Sequence, residues 1–156
     1  MHIVFKGFYH LKSFFQINIY RVVYGNKVKI GRGTSFRDRF SASVDKKALL
    51  VIGENCFFNN NCIINAHEHI EIGNNTIFGP NVIIYDHDHD YNGQMDSYVS
   101  SPVKIGNNCW IGGNVAILRG TVIGDNSVIA AGSVVSKEVP DNAIFIQKRE
   151  TTIIKK

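Results

Sequence analysis

The chain is predicted to be all-β, a parallel β-helix of short strands wound into stacked coils, and three observations carry that prediction. Large apolar residues recur every six positions, as Ile105, Ile111, Ile117, Ile123, Ile129 and Val135, and earlier as Ile52, Phe58, Ile64 and Ile72, Phe78, Ile84. No helical period of about 3.6 fits that spacing. Three residues after each apolar position stands Asn or Gly: Asn55, Asn61, Asn75, Asn81, Asn108, Asn114, Gly120, Asn126 and Gly132. These residue types enter left-handed backbone space at least cost, so each hexad turns a corner there. The next position is small or β-branched, as in Cys56, Cys62, Thr76, Val82, Cys109, Val115, Thr121, Ser127 and Ser133, which suits a strand residue pointing into a narrow interior. Each hexad is thus a strand and a turn. Three would close a triangular coil of about 18 residues that buries its faces by stacking on its neighbours.

Residues 1–25 lie outside this pattern. They alternate aromatic and aliphatic residues with Lys6, Lys12 and Arg21. No uninterrupted apolar run reaches the roughly 18 residues a bilayer crossing needs, and no small-residue cleavage site follows. The segment is expected to cap the open end of the coil stack, with peripheral membrane contact as the alternative. The β-helix is expected over 26–139. Hexad phase starts at Ile30-Gly31-Arg32-Gly33-Thr34, blurs over 37–49, where an irregular coil or a loop at a subunit edge is expected, and is regular again from Ile52. A loop insertion follows at 85–103, and residues 140–156 form a C-terminal tail.

A length of 156 residues with 44% hydrophobic content suits one domain, although a solenoid of this size leaves its flanks exposed and favours oligomers. The net charge of +4 admits anionic partners. Dispersed basic residues and the lack of a nucleic-acid motif argue against nucleic acid. All three cysteines fall on the small inward position of a hexad, which predicts reduced, packed thiols and a reducing, cytoplasmic compartment.

The loop breaks the repeat with Tyr85-Asp86-His87-Asp88-His89-Asp90-Tyr91. A solenoid that interrupts a coil with His, Asp and Tyr puts chemistry on one face. In an extended strand His87 and His89 share one side and the carboxylates the other. A histidine can take a hydroxyl proton and return it. If coils stack every 18 residues, Glu71 lies beneath His89 and could orient it, and His69 lies beneath His87. Asp88 and Asp90 are alternative orienting partners.

With the hexads and the segment Val103-Lys104-Ile105-Gly106-Asn107-Asn108-Cys109-Trp110-Ile111-Gly112 in hand, residues 50–140 resemble the hexapeptide-repeat acyltransferases, in the branch of maltose, galactoside and capsular-polysaccharide O-acetyltransferases. The resemblance implies a left-handed β-helix, an exception to the usual crossover rule, a homotrimer with sites between subunits, and acetyl-CoA as donor. It selects His89, four residues after Tyr85, as catalytic base. It assigns Asn59 to the acceptor, although Asn59 is equally read as a turn residue in an Asn-rich corner; Asp86, His87 and Tyr91 of the loop are further candidates for holding the acceptor, with a supporting or structural role the better reading of His87. His67 stands where sugar-modifying members carry an acidic acceptor-binding residue. The resemblance makes the Gly113 N–H the oxyanion donor, on the principle that a preorganised amide meets the developing charge. It sets Trp110 against the sugar or the pantetheine arm, unless that ring packs at a subunit contact.

Ile129-Ala130-Ala131-Gly132-Ser133-Val134-Val135-Ser136-Lys137 resembles the family's coenzyme A segment, with Ala131 at the pantetheine and Ser136 and Lys137 towards phosphate. The family's usual ending is replaced by Ile146-Gln147-Lys148-Arg149 and the residues after it, where Lys148 and Arg149 either hold the nucleotide phosphate or form a solvated tail. The expected activity is acetyl transfer to a sugar hydroxyl of a surface polysaccharide or its precursor, without a metal. N-acetylation of an amino sugar is the nearest alternative. A γ-carbonic-anhydrase-like metal site built from His67, His69, His87 and His89, or a non-catalytic scaffold, stand further off.

Overall fold

The computed structural model of the protein describes residues 2–93, 97–148, 152 and 154, with side chains from Leu11 onward. Its strands stack into three parallel sheets that form the faces of a prism. Face 1 holds Val28–Ile30, Leu49–Ile52, His69–Ile72, Val103–Ile105 and Val122–Ile123. Face 2 holds Ser35–Phe36, Phe57–Phe58, Ile77–Phe78, Trp110–Ile111, Val128–Ile129 and Ile144–Phe145. Face 3 holds Ser41–Val44, Ile63–Ala66, Ile83–Tyr85, Ala116–Ile117 and Val134–Val135. Every ladder within these faces is parallel, so the predicted parallel β-helix is the fold.

The corners are turned where the sequence predicts. Asn55, Asn61, Asn75, Asn81, Asn108, Asn114 and Asn126 have φ between 55° and 61°, and Gly120 and Gly132 have φ of 74° and 73°. Their amides also bond up the stack, as in Asn61 to Asn81 to Asn114 at 3.0 and 2.9 Å. The large apolar residues are buried, with Phe58 and Phe78 stacked at 4.2 Å. Burying such a side chain contributes roughly 1.5–3 kcal/mol. The small position faces inward throughout: Cys56, Cys62 and Cys109 are free and buried, and burial pushes their thiols up. They remain protonated, packed groups.

Between successive coils a tight approach is obligatory at some glycines. A Cβ on Gly73 would lie 2.7 Å from the carbonyl carbon of Gly106 and 2.8 Å from its oxygen. Those are backbone atoms of the next coil and cannot swing aside. Gly73→Ala is therefore expected to cost about 1–3 kcal/mol, read as a lower midpoint in thermal unfolding.

Two segments differ from the sequence reading. Residues 37–49 carry a strand, Ser41–Val44, within a coil that rises 22 residues, from Ser41 to Ile63, with Arg39 at φ 58° in the corner. An arginine stands where Asn or Gly marks the other corners, and that hid the phase. The N-terminal segment is a helix, α1 (His2–Tyr24), outside the all-β prediction. It lies on the first coil through Ser13, Gln16, Ile17, Tyr20 and Tyr24. The Phe36 N–H donates to Ser13 Oγ at 2.8 Å, Gln16 Nε2 donates to the Phe40 carbonyl at 3.0 Å, and the Ala42 N–H donates to Tyr20 Oη at 3.1 Å. Gly25, at φ 59°, ends the helix in the manner of a left-handed C-terminal glycine.

Candidate active site

The inserted loop leaves the prism at the edge between faces 3 and 1. There His87–His89 pairs antiparallel with Tyr98–Ser100, setting His89 opposite Tyr98. The base of this hairpin is closed by the Ser101 N–H donating to the Asp86 carbonyl at 2.8 Å. Alternation along the strand sorts the side chains as expected. His87 and His89 both meet the Tyr98 ring, at 5.3 and 4.6 Å between centroids. Asp88, on the opposite side, accepts from Arg119 Nε at 2.7 Å. His89 and Tyr91 are exposed.

Asp86 is not placed to meet an acceptor. It is fully buried, and its carboxylate accepts the N–H groups of His67 and Glu68 at 2.8 Å each, with His87 Nδ1 at 3.1 Å. It fastens the hairpin base to the coil below. The assignment of Asp86 to substrate binding is thus corrected: a carboxylate that satisfies two backbone donors in the interior has no face left for a sugar.

Glu71 is also displaced from its expected role. It pairs in register with Val51 and Lys104 on face 1 and does not stack beneath His89, because the hairpin has left the coil. His69 pairs with Leu49. His67, instead, packs on His87 at 4.0 Å and on Tyr98 at 4.3 Å, and its Nε2 lies 3.1 Å from Asp45 Oδ2. The reason is coil length. Phe57 pairs with Ile77 and Ile63 with Ile83, a rise of 20 residues, whereas Trp110 pairs with Val128, a rise of 18. The steps from Phe58 to Phe78 and Ile64 to Ile84 in the sequence already carried that signal. Asp45, Tyr98 and Arg119 went unnoticed because they come from three different coils or strands and share no motif.

A second feature lies along the edge between faces 2 and 3. An apolar groove of about 480 Å³ is lined by Asn59, Trp110, Gly113 and Ala131 together with Ile77, Pro80 and neighbouring residues of face 2. Four residues singled out in sequence from three coils therefore come together. Asn59 closes its own turn, its Oδ1 accepting the Asn60 N–H at 2.9 Å, yet still lines the groove. The Gly113 carbonyl accepts from Gly132 at 2.8 Å, while among the described residues its N–H has no acceptor. Trp110 exposes 59% of its surface, so one flat wall is left for a partner or ligand. Ser136, Lys137 and Lys148 are exposed at the end of the stack and do not line the groove. Lys137 Nζ lies 6.0 Å over the Phe145 ring. Arg149 lies outside the described residues.

Histidine hairpin and groove thus occupy different edges of one prism. The histidine cluster can accept and return a proton, and the groove can take a largely apolar group beside Gly113. Among the described residues no three His, Cys, Asp or Glu side chains are grouped to hold a metal ion.

Comparison with known proteins gives both features a context. The bacterial transferase hexapeptide (six repeats) family matches residues 102–137. Galactoside O-acetyltransferase of Escherichia coli (strain K12) is 42% identical over 121 residues, which is 78% of this chain and 50% of that protein. The chain thus spans about half the length of that relative. The crystal structure of a maltose O-acetyltransferase from Clostridium difficile 630 superposes with a TM-score of 0.65 at 33% identity, covering 86% of this chain and 81% of the other. The hexapeptide-repeat acetyltransferase VCA0836 of Vibrio cholerae, complexed with acetyl coenzyme A, superposes with a TM-score of 0.66 at 30% identity, over 74% of this chain and 64% of the other.

Proposed function

The chain belongs to the bacterial hexapeptide-repeat transferase family, and we propose that it transfers an acetyl group from acetyl-CoA to a hydroxyl of a sugar, in a surface polysaccharide or a precursor of one. The observation that carries this reading is the groove, where Asn59, Trp110, Gly113 and Ala131 converge on an apolar space of about 480 Å³. The 42% identical relative is a galactoside O-acetyltransferase, which favours oxygen over nitrogen as the acceptor atom.

In the proposed reaction His89 removes the proton as the hydroxyl oxygen attacks the thioester carbonyl. The tetrahedral oxyanion is held by the Gly113 N–H. Collapse breaks the carbon–sulfur bond, and the departing thiolate takes the proton back from the imidazolium. No covalent enzyme intermediate is required. Lys137 and Lys148, exposed beyond the groove, would meet the phosphates as charged donors, with the Ser136 hydroxyl as a neutral one. Tyr91, exposed on the hairpin, is available to the acceptor.

The separation of hairpin and groove onto two edges supports a homotrimer, in which the hairpin of one copy meets the groove edge of the next. The three buried, protonated thiols suit a reducing compartment such as the cytoplasm.

The first test is thermal unfolding with and without ligand. At 100 times its Kd a ligand adds roughly 2.7 kcal/mol to the state that binds it, which raises the midpoint of a chain of this size by several degrees. A rise with acetyl-CoA and CoA, and none with ATP, is the expected result. No rise at saturating acetyl-CoA would remove the donor assignment.

A further inference from the structure

We propose that the outward face of α1 docks on the anionic surface of a lipid bilayer and seats the solenoid on the membrane by its N-terminal end. This docking does not depend on the acetyl-transfer reading. One side of α1 is fixed to the first coil by Ser13, Ile17 and Tyr20. The opposite side presents Leu11, Phe14, Phe15, Ile19, Val22 and Val23, each exposing between 57% and 85% of its surface. Of the polar residues on that side, Asn18 donates its amide to the Phe14 carbonyl at 2.9 Å and Lys12 pairs with Asp38 of the first coil. A helix whose solvent-facing side is apolar needs an apolar environment on that side. Among the described residues no helix is long and apolar enough to cross a membrane, so the geometry that remains is a helix lying in the interface plane.

Charge selects a bilayer, and an anionic one, over a second copy of the chain. Residues 1–47 carry ten Lys and Arg against two Asp and no Glu, a balance of +8, whereas residues 51–156 carry seven against eleven, a balance of −4. Two copies meeting through α1 would bring their most basic ends together. A bilayer of anionic phospholipid meets the same end with opposite charge. Basic side chains also stand where headgroups would lie. A groove of about 280 Å³ beside Phe14 is lined by Arg21 and Arg32, and an adjoining one of about 400 Å³ by Arg21 and Lys29. Arg21 is held between helix and coil by donating to the Ile30 carbonyl at 3.1 Å. Insertion of the aromatic face and phosphate contact by these cations are therefore compatible in one orientation. Such seating would hold the proposed acetyl-transfer site close to sugars carried on lipid.

The test is co-sedimentation of the full chain with vesicles of phosphatidylcholine containing about 30% phosphatidylglycerol, against vesicles of phosphatidylcholine alone. Partition into the anionic vesicles is expected to be at least roughly tenfold stronger at low salt and to weaken as salt screens the charges. The double variant Phe15→Glu/Val22→Glu is expected to lose it by at least roughly tenfold, with an unchanged unfolding midpoint, since both side chains point away from the coil. Lys29→Glu/Arg32→Glu is expected to weaken binding to the anionic vesicles selectively. Wild-type chain remaining in the supernatant, or equal sedimentation of Phe15→Glu/Val22→Glu, would overturn the proposal. So would a mass measured by light scattering in which two assemblies join through α1 and part in that variant, because the face would then be a contact between copies.

Discussion

His89→Ala is expected to lower kcat by about 10²- to 10⁴-fold, the usual worth of a positioned general base, while leaving the acetyl-CoA-induced rise in unfolding midpoint intact. The expectation rests on geometry. His89 is exposed on the hairpin strand beside Tyr98, with its alternate neighbour Asp88 tied to Arg119 on the opposite side. Loss of the imidazole should leave the groove around Gly113 and Ala131 untouched, since the hairpin contributes nothing to its lining. His87→Ala is the control. That side chain is only 15% exposed, packed against Asp86, His67 and Tyr98, and its removal should act mainly on stability. If the two variants exchange these behaviours, His87 is the base. If neither lowers kcat while an amino sugar is acetylated well, the acceptor is a neutral amine, which needs less help from a base. The measurement is steady-state kinetics at saturating acetyl-CoA beside thermal unfolding of each variant.

The scaffold was legible because its physics is local. Each Asn or Gly corner is a backbone requirement met by one residue, and each small inward residue answers to the narrow interior at one position. Arg39 marks the limit of that logic, since a corner can be held in left-handed space by surrounding ladders without the residue type that announces it. The site was less legible because its geometry depends on coil length. An 18-residue repeat predicts Glu71 under His89. The 20-residue rise from the coil of Ile63 to that of Ile83 brings His67 under His87 instead, and a two-residue difference changes every vertical partner. Helix α1 escaped for another reason. Its Phe, Tyr, Ile and Val residues are indifferent helix formers, and what holds it is the backbone of Phe36 and Phe40 and the Phe40 ring against Tyr20, which no local pattern reveals. Groove residues were identified through resemblance, but the fact that they and the histidines occupy different edges is a property of the winding alone.

Asp86 offers the test that best separates a structural from a substrate-binding role. Its carboxylate has no exposed surface and accepts the His67 and Glu68 N–H groups at 2.8 Å each. Asp86→Ala takes the acceptor from two part-buried donors, each costing at most about 1–3 kcal/mol, so a loss of up to roughly 2–6 kcal/mol is expected. For a chain of this length each kcal/mol moves the midpoint by about 2–4 °C, which makes a fall on the order of 10 °C the result to look for, at fixed protein concentration because an oligomer's midpoint depends on it. Asp86→Asn keeps one acceptor oxygen but turns an NH₂ towards the second donor, and is expected to recover less than half of the loss. Both variants also remove the Asp86 Oδ1 that lies 3.1 Å from His87 Nδ1, loosening the ring stack of His67, His87 and Tyr98. Activity at low temperature, where the variants remain folded, should therefore fall through kcat, and by less than in His89→Ala. A sugar ligand would report differently. If Asp86 held the acceptor, its replacement would raise KM for the sugar and leave the unfolding midpoint where it was, and the buried-fastener assignment would have to be abandoned.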